Sequence, residues 1–439
     1  MTQSRSPAPD FDAVVVGAGP AGSAAALELA RNGNSVALLE RGPFPGSKNM
    51  YGGVIYGRIL DTLIPNWWEE APIQRWVTRR QTMMLTDTQA LTVDYRSENW
   101  GKPPYNGATA YRPDFDHWLA DKAVEAGATL VCSTTATGLI REQGCVVGVT
   151  TDRPDGDLRA RVVIACDGAN SFLAKEAGLY PNVDPKNFTV GVKETVALPT
   201  EVIEERFGVR GDQGVDIEII GCTGDVAGGG FIYTNRDTLA VGLVLSVTGL
   251  AEGDSRPEEL LHKMKEHPAV APLLEGGEVK EYSAHMIPEG GYDAMPELIT
   301  DGMLVAGDAA GMCLAAGVWL EGVNFAIGAG AAAGRATHRA IERGDTSAAG
   351  LEGYRTRLES TFVLADHKKL REIPHLVLGD LAQQKLPNIA CGVAEEFFTV
   401  GNPRPKPGLR KIVKAEMKRN GVKLRQVARD SIKAVKGFG

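Results

Sequence analysis

A chain of 439 residues exceeds one ordinary core, so two closely packed domains and a helical tail are expected; 43% hydrophobic and 23% charged residues is the balance of a globular protein. No uninterrupted run of about eighteen apolar residues occurs, and the nearest candidate, residues 309–333, is broken by Glu321 and Asn324, which excludes a membrane-spanning helix. The net charge of −8 conceals a basic tail, residues 404–439, with twelve Lys and Arg against Glu416 and Asp430, while nothing in the pattern points to nucleic acid.

Residues 12–16 form a short β-branched run, followed by a glycine turn, an alanine-rich helix over 21–32 and a second strand over 35–40. A loop rich in Gly, Pro and Asn spans 42–57, and β-like alternation returns over 82–95. Apolar residues at helical spacing mark 116–126, and strands are expected at 129–132, 136–142 and 146–151. Residues 162–166 read as a buried strand ending in Asp167-Gly168, and residues 190–247 read largely as strand with glycine punctuation. A last buried strand at 303–306 leads to a small-residue helix over 322–341. The chain thus leaves a nucleotide-binding domain and returns to it: residues 1–75, 106–180 and 286–345 are its parts, residues 76–105 and 181–285 an inserted antiparallel sheet domain, and 346–439 a helical region.

Gly17-Ala18-Gly19-Pro20-Ala21-Gly22 joins the first strand to the first helix. The first glycine permits the turn, the second lets backbone approach a pyrophosphate, and the third allows close helix packing. Diphosphate charge then rests on the helix N-terminus. Glu40, with Arg41 after it, ends the second strand, where a carboxylate suits the ribose hydroxyls of an adenosine. A tight turn with no ligand is the bland alternative, but strand, turn, helix, strand and acid all appear in register.

Two further stretches, Val162 through Ser171 with Asp167 and Gly168, and Gly302 through Ala310 with Gly307 and Asp308, are each a buried strand ending in Asp beside Gly. With the glycine turn they resemble a flavoprotein family that includes aromatic hydroxylases, geranylgeranyl reductases and electron-transfer-flavoprotein:quinone oxidoreductases. The resemblance implies an α/β fold: a Rossmann-like, glutathione-reductase-type FAD-binding domain with an inserted antiparallel substrate sheet. It implies FAD held without a covalent bond and Asp308 on its ribityl chain. Arg112 in Tyr111-Arg112-Pro113-Asp114-Phe115-Asp116 then reaches the pyrophosphate from ahead of a helix, unless it is an ordinary surface arginine. Gly322, Val323 and Asn324 open a helix whose free N–H groups would face the flavin where charge collects on reduction, while Ala329 to Ala333 forms a packing face.

Gly46-Ser47-Lys48-Asn49-Met50-Tyr51-Gly52-Gly53 and the stretch from Gly228 to Val244 are more specifically similar to the FixC family, the quinone-reductase subunits of electron-bifurcating FixABCX complexes. That implies electrons received from electron-transfer-flavoprotein subunits and a ferredoxin-like FixX subunit, and passed by FAD to a membrane quinone. Iron–sulfur clusters would lie only in the partner, which suits six cysteines, at 132, 145, 166, 222, 313 and 391, with no cluster or metal spacing. Lys48 and Asn49 would stand near the flavin N5, or else are plain loop residues. An isoprenoid-saturating reductase is the alternative activity, and the greasy acceptor entrance is expected near Trp319. His262, His267, His338 and His367 sit among charged residues and are expected on exposed helices without a catalytic role. Residues 2–9 lack the apolar core of a signal peptide, so a cytoplasmic protein peripheral on the inner membrane face is expected, with the basic tail meeting an acidic partner or anionic lipid.

Overall fold

The computed structural model describes residues 8–49, 53–180, 183–317 and 320–438. The β-branched run forms the strand Phe11–Val16 at the middle of a sheet ordered Ile299–Thr300, Met303–Val305, Leu158–Ala165, Phe11–Val16, Val36–Leu39 and Thr129–Val131. Its central pairs are parallel, with Val14 opposite both Val163 and Ala37. All four residues of Val36–Leu39 are buried, as expected of strands covered on both faces. A hairpin, Ala136–Glu142 with Cys145–Thr151, extends the strand Leu158–Ala165. The helices Pro20–Arg31, Arg112–Glu125 and Val323–Arg343 complete this unit.

The second sheet is mostly antiparallel and larger: Glu278–Pro288, Phe188–Ala197, Thr238–Ser246, Gly228–Thr234, Gln213–Ile220, Ile73–Leu85, Ala108–Ala110 and Gly53–Ile55 in that order, with Ala90–Arg96 paired to Ile73–Leu85. Strand alternation divides it into two faces. Val192, Val215, Ile217, Ile219, Val241 and Leu243 form a dry core with the helices Thr200–Phe207 and Pro257–Glu266. The opposite face carries Phe231, Tyr233 and Ala240 with Val54 and Val244 against them. Gly53–Ile55 and Ala108–Ala110 pair with each other in this sheet, so the chain first crosses over before Gly53 rather than near residue 76, and returns after Ala110 rather than at 106.

The stretch expected as strand over 190–247 contains the helix Thr200–Phe207. Its Ile203 and Phe207, one helical turn apart, are buried, contributing roughly 1.5–3 kcal/mol each, and Gly208 ends it at φ +59. The tail forms two helices, Leu409–Arg419 and Leu424–Phe438, separated where Gly421 takes φ +65. No helix among the described residues is long and apolar enough to cross a membrane. Two of the histidines expected outside are buried. His367 lies one turn after Val363 on the apolar side of its helix, its Nδ1 2.6 Å from the Val363 carbonyl oxygen and its ring edge-on to Phe325, while His267 is covered at the end of Pro257–Glu266.

Candidate active site

The three glycines of the opening turn do different work. Gly17 has φ +99, and a Cβ there would lie 2.3 Å from the Cys166 carbonyl oxygen; a Cβ on Gly22 would lie 1.9 Å from the Gly17 oxygen. Packing alone demands both. Nothing lies within 4 Å of a Cβ placed on Gly19, so its missing side chain leaves space in front of the helix, as close approach of a diphosphate requires. No side chain caps the helix Pro20–Arg31, so its first N–H groups and positive dipole end are free for an anion.

Val323–Arg343 likewise starts at Gly322 without a side-chain cap. It lies along Pro20–Arg31 because Gly330 and Gly334 admit the Ala21 and Ala25 carbonyls, where a Cβ would come within 1.9 and 2.6 Å. Further along the seam Arg335 donates two hydrogen bonds, of 2.7 and 2.9 Å, to the Glu28 carboxylate. Contacts rise together in number, so the helices run parallel and aim two positive ends the same way.

Both ends open on a cavity of about 650 Å³ between the two sheets. Gly17, Gly19, Pro20, Ala21, Glu40, Arg41, Lys48, Asn49, Arg112, Asp167, Gly168, Asp308, Gly322 and Val323 all line it. Ala18, Gly22, Gly307 and Asn324 stand behind the wall. The Ala18 N–H donates to Glu40 Oε2 at 3.1 Å, Gly307 turns at φ +69 against Ala21, and the Asn324 side chain donates to Glu321. Met50 to Gly52, Val318 and Trp319 lie outside the described residues, and with them the expected acceptor entrance.

Hydrogen bonds fix the charged groups. Glu40 also accepts from the Gly42 N–H at 2.7 Å, leaving further lone pairs toward the cavity. Arg112 is the first residue of its helix rather than ahead of it, and donates to both oxygens of Asp116 at 2.8 and 2.9 Å. Asp116 is fully buried and accepts a third bond from Asn49 at 2.6 Å. Burial pushes its carboxyl up, and the Arg112 guanidinium opposes that rise. Asp167 accepts from Ser171 Oγ at 2.6 Å; burial raises its carboxyl against that bond. The Cys313 thiol donates to Asp308 Oδ1 at 3.3 Å, and burial, then the neighbouring carboxylate, pushes this thiol well up, so it stays protonated.

Sequence reasoning passed over His285, Glu289, Cys313 and Glu321, which also line the cavity. His285 and Glu289 come from the strand Glu278–Pro288 and the residue after it, where alternation gives no sign of which face meets a cofactor. Burial lowers the His285 imidazole and raises Glu289 to about 7. Glu321 carried the one available signal, an acid among small residues in the stretch from Ala315 to Asn324. Among the described residues no group of three or more His, Cys, Asp or Glu is placed to hold a metal ion.

An uncapped helix start beside open space, a second helix start, the Glu40 carboxylate and an apolar sheet face in one cavity fit the diphosphate, sugars and flat ring of FAD. Residues 10–207 match a family model described as FAD binding domain. A geranylgeranyl bacteriochlorophyll reductase-like protein of Thermoplasma acidophilum shares the fold, with a TM-score of 0.70 at 22% identity over 93% of this chain and 99% of that one. The protein "FixC" of Escherichia coli O157:H7 is 41% identical over 406 residues, 92% of this chain and 94% of the relative. In strain K12, "probable electron transfer flavoprotein-quinone oxidoreductase YdiS" is 39% identical over 96% of this chain and 98% of its own length. "FixC" of Azorhizobium caulinodans is 43% identical over 84% of this chain and 85% of its own.

Fold, cavity and relatives together define an FAD-dependent flavoprotein oxidoreductase of electron transfer. Within that class the chain belongs to the FixC family.

Proposed function

We propose that this protein takes electrons from electron-transfer-flavoprotein subunits and a ferredoxin-like subunit of the FixX kind, and passes them through non-covalently held FAD to a membrane quinone. The observation that carries this reading is the single cavity that joins all three nucleotide-binding segments to the inner face of the second sheet. Bound FAD accepts electrons singly and delivers them in pairs.

The chain's own residues supply position and field. The N–H groups before Pro20–Arg31 and the Arg112 guanidinium hold the diphosphate, Glu40 the ribose, and Asp308 the ribityl arm. The start of Val323–Arg343 faces the pyrimidine side of the ring, where its dipole offsets negative charge, and Lys48 and Asn49 stand by the ring's reactive edge. Val54 and Val244 give the acceptor an apolar wall. Iron–sulfur chemistry belongs to the partner.

Residues 346–439 serve docking. On Leu424–Phe438 the side chains of Leu424, Ile432 and Val435 are 75%, 57% and 69% exposed along one side, flanked by Lys423, Arg425, Arg429, Lys433 and Lys436. Such a stripe suits the anionic inner face of the cytoplasmic membrane, where the quinone resides.

The test follows the flavin spectrum of the protein purified with its partners. Reductant should bleach the oxidised flavin bands and a short-chain quinone should restore them. No reoxidation by quinone overturns the reading, and a two-hydrogen mass gain in an added isoprenoid would replace it with isoprenoid reduction.

A further inference from the structure

Beside the cavity, on the inner face of the second sheet, lies a buried polar cluster that the cofactor site does not use. Asp216 and Glu218 alternate with Val215, Ile217 and Ile219, so while the apolar residues enter the dry core both carboxyls turn inward. They are 1% and 8% exposed. Arg80, opposite Asp216 in the neighbouring strand, places Nη2 3.0 Å from Asp216 Oδ2 and 3.8 Å from Glu218 Oε1. The Tyr233 hydroxyl donates to Glu218 Oε1 at 3.4 Å.

One guanidinium cannot neutralise two buried carboxylates, and a net buried charge is costly. Asp216 Oδ1 makes the shortage visible: it is fully buried and no N–H or O–H group of the described residues donates to it. A proton shared between the two carboxyls cures both defects, and the side chains are placed to share one. Burial raises both acids, and the Asp216 charge raises Glu218 further. The proton belongs to the pair rather than to either residue.

Two further groups relate the pair to the cavity. Tyr56 follows the strand Gly53–Ile55, and its hydroxyl feels the charges of Arg80, Asp216, Glu218 and Glu321. Glu321 lines the cavity. On the same sheet face Phe231 stacks on Tyr233 with ring centroids 4.7 Å apart, over Gly242, where a Cβ would lie 2.4 Å from the Phe231 ring. Val54 and Val244 join this aromatic slab to the cavity wall.

We propose that the Asp216–Glu218 pair is a proton store for acceptor reduction, with the Tyr56 hydroxyl and the Glu321 carboxylate carrying its proton to an oxygen of the quinone. This rests on the quinone reading of the cavity. Conversion to a quinol takes two electrons and two protons: bound reduced FAD supplies both electrons with one proton, and the store supplies the other. A carboxyl O–H bond breaks at the pair; through bridging water the tyrosine hydroxyl passes its proton to Glu321 and is refilled from the pair; the O–H bond formed at Glu321 then breaks as a new one forms on the quinone oxygen. Water reprotonates the pair past Arg80, whose side chain is 15% exposed. The charged and titratable groups around the pair are Arg80, Tyr56 and Tyr233, while Glu321 feels Arg80 and Asp366 and acts on Tyr56.

Glu218→Gln and the milder Tyr56→Phe, made in the full chain, test this with two acceptors. Ubiquinone-1 needs protons; ferricenium takes an electron without one. The ratio of ubiquinone-1 to ferricenium turnover should fall about tenfold to a hundredfold in both variants, more steeply at pH 8 than at pH 6. A second readout needs no cofactor: at pH 7 the infrared carboxylic-acid absorption of the parent protein should exceed that of Glu218→Gln by the band of one buried acid, with the Glu289 contribution common to both. An unchanged ratio across pH, or equal carboxylic-acid absorption in the parent and Glu218→Gln, overturns the proposal. If the parent itself reduces ferricenium but not ubiquinone-1, the quinone reading fails instead, and the band then reports only a buried acid pair.

Discussion

The two walls of the cavity are built by opposite means. The cofactor wall rests on local constraints: Gly17 and Gly22 must be glycine because a carbonyl oxygen occupies the place of a side chain, and both sit within one turn of chain. The acceptor wall rests on register. Asp216 meets Arg80 and Tyr233 only because three strands align them, and Arg80 lies more than a hundred residues before Asp216. The nucleotide-binding turn is therefore written as short spacing, whereas the polar cluster proposed to serve the acceptor is written in strand pairing.

The largest effects should come from breaking the local wall. Gly22→Val drives side-chain carbon onto the Gly17 carbonyl, where even a Cβ would stand at 1.9 Å. The cofactor-free protein should lose more than about 4 kcal/mol, read as loss of a cooperative thermal transition. Gly19→Val is the control, since open space surrounds that position: its cofactor-free melting should match the parent while FAD affinity falls at least tenfold. Equal FAD affinity in Gly19→Val and the parent would remove the diphosphate from this turn.

Next in size is Arg112→Ala, which strands the fully buried Asp116 with only the Asn49 amide. Breaking such a pair costs roughly 3–5 kcal/mol, measurable by urea unfolding. Adding Asp116→Asn should recover most of that stability and, if the guanidinium holds the diphosphate as proposed, none of the FAD affinity. Recovery of both by the double variant would make Arg112 a purely structural partner.

The same contrast explains what was legible in the sequence. The strand–turn–helix unit, Glu40, Asp167 and Asp308 announce themselves by position after buried runs, and the cavity brings them together. The small-residue helix was readable as a packing face, though its Gly330 and Gly334 contacts required its neighbour's path. His367 was misjudged because flanking Asp366 and Lys368 point away from the side it shares with Val363. The helix Thr200–Phe207 was missed because eight residues between strands give too few turns for periodicity to stand out. Nothing local marks His285, Glu289 or the Asp216–Glu218 pair, whose surroundings arrive from distant strands.

Glu289 stands where the two walls meet and gives the smallest of these effects. It is 8% exposed, lines the cavity just after the strand Glu278–Pro288, and accepts a bond of 2.7 Å from Thr189 Oγ1 on the adjacent strand. Burial lifts its carboxyl from 4.5 to about 7, against that one hydrogen bond. The folded protein therefore holds this proton more tightly than the unfolded chain does. The stability it contributes is complete below pH 4.5 and is lost as pH rises to about 7, beyond which the ionised group is a fixed cost. Glu289→Gln keeps an acceptor for Thr189 and cannot ionise, so it should match the parent near pH 4.5. By pH 8 it should exceed it by up to about 3 kcal/mol. The measurement is urea unfolding of both cofactor-free proteins across that range. Parallel curves would mean that Glu289 titrates as if in water, and the junction of the two walls would then be wetter than its packing indicates.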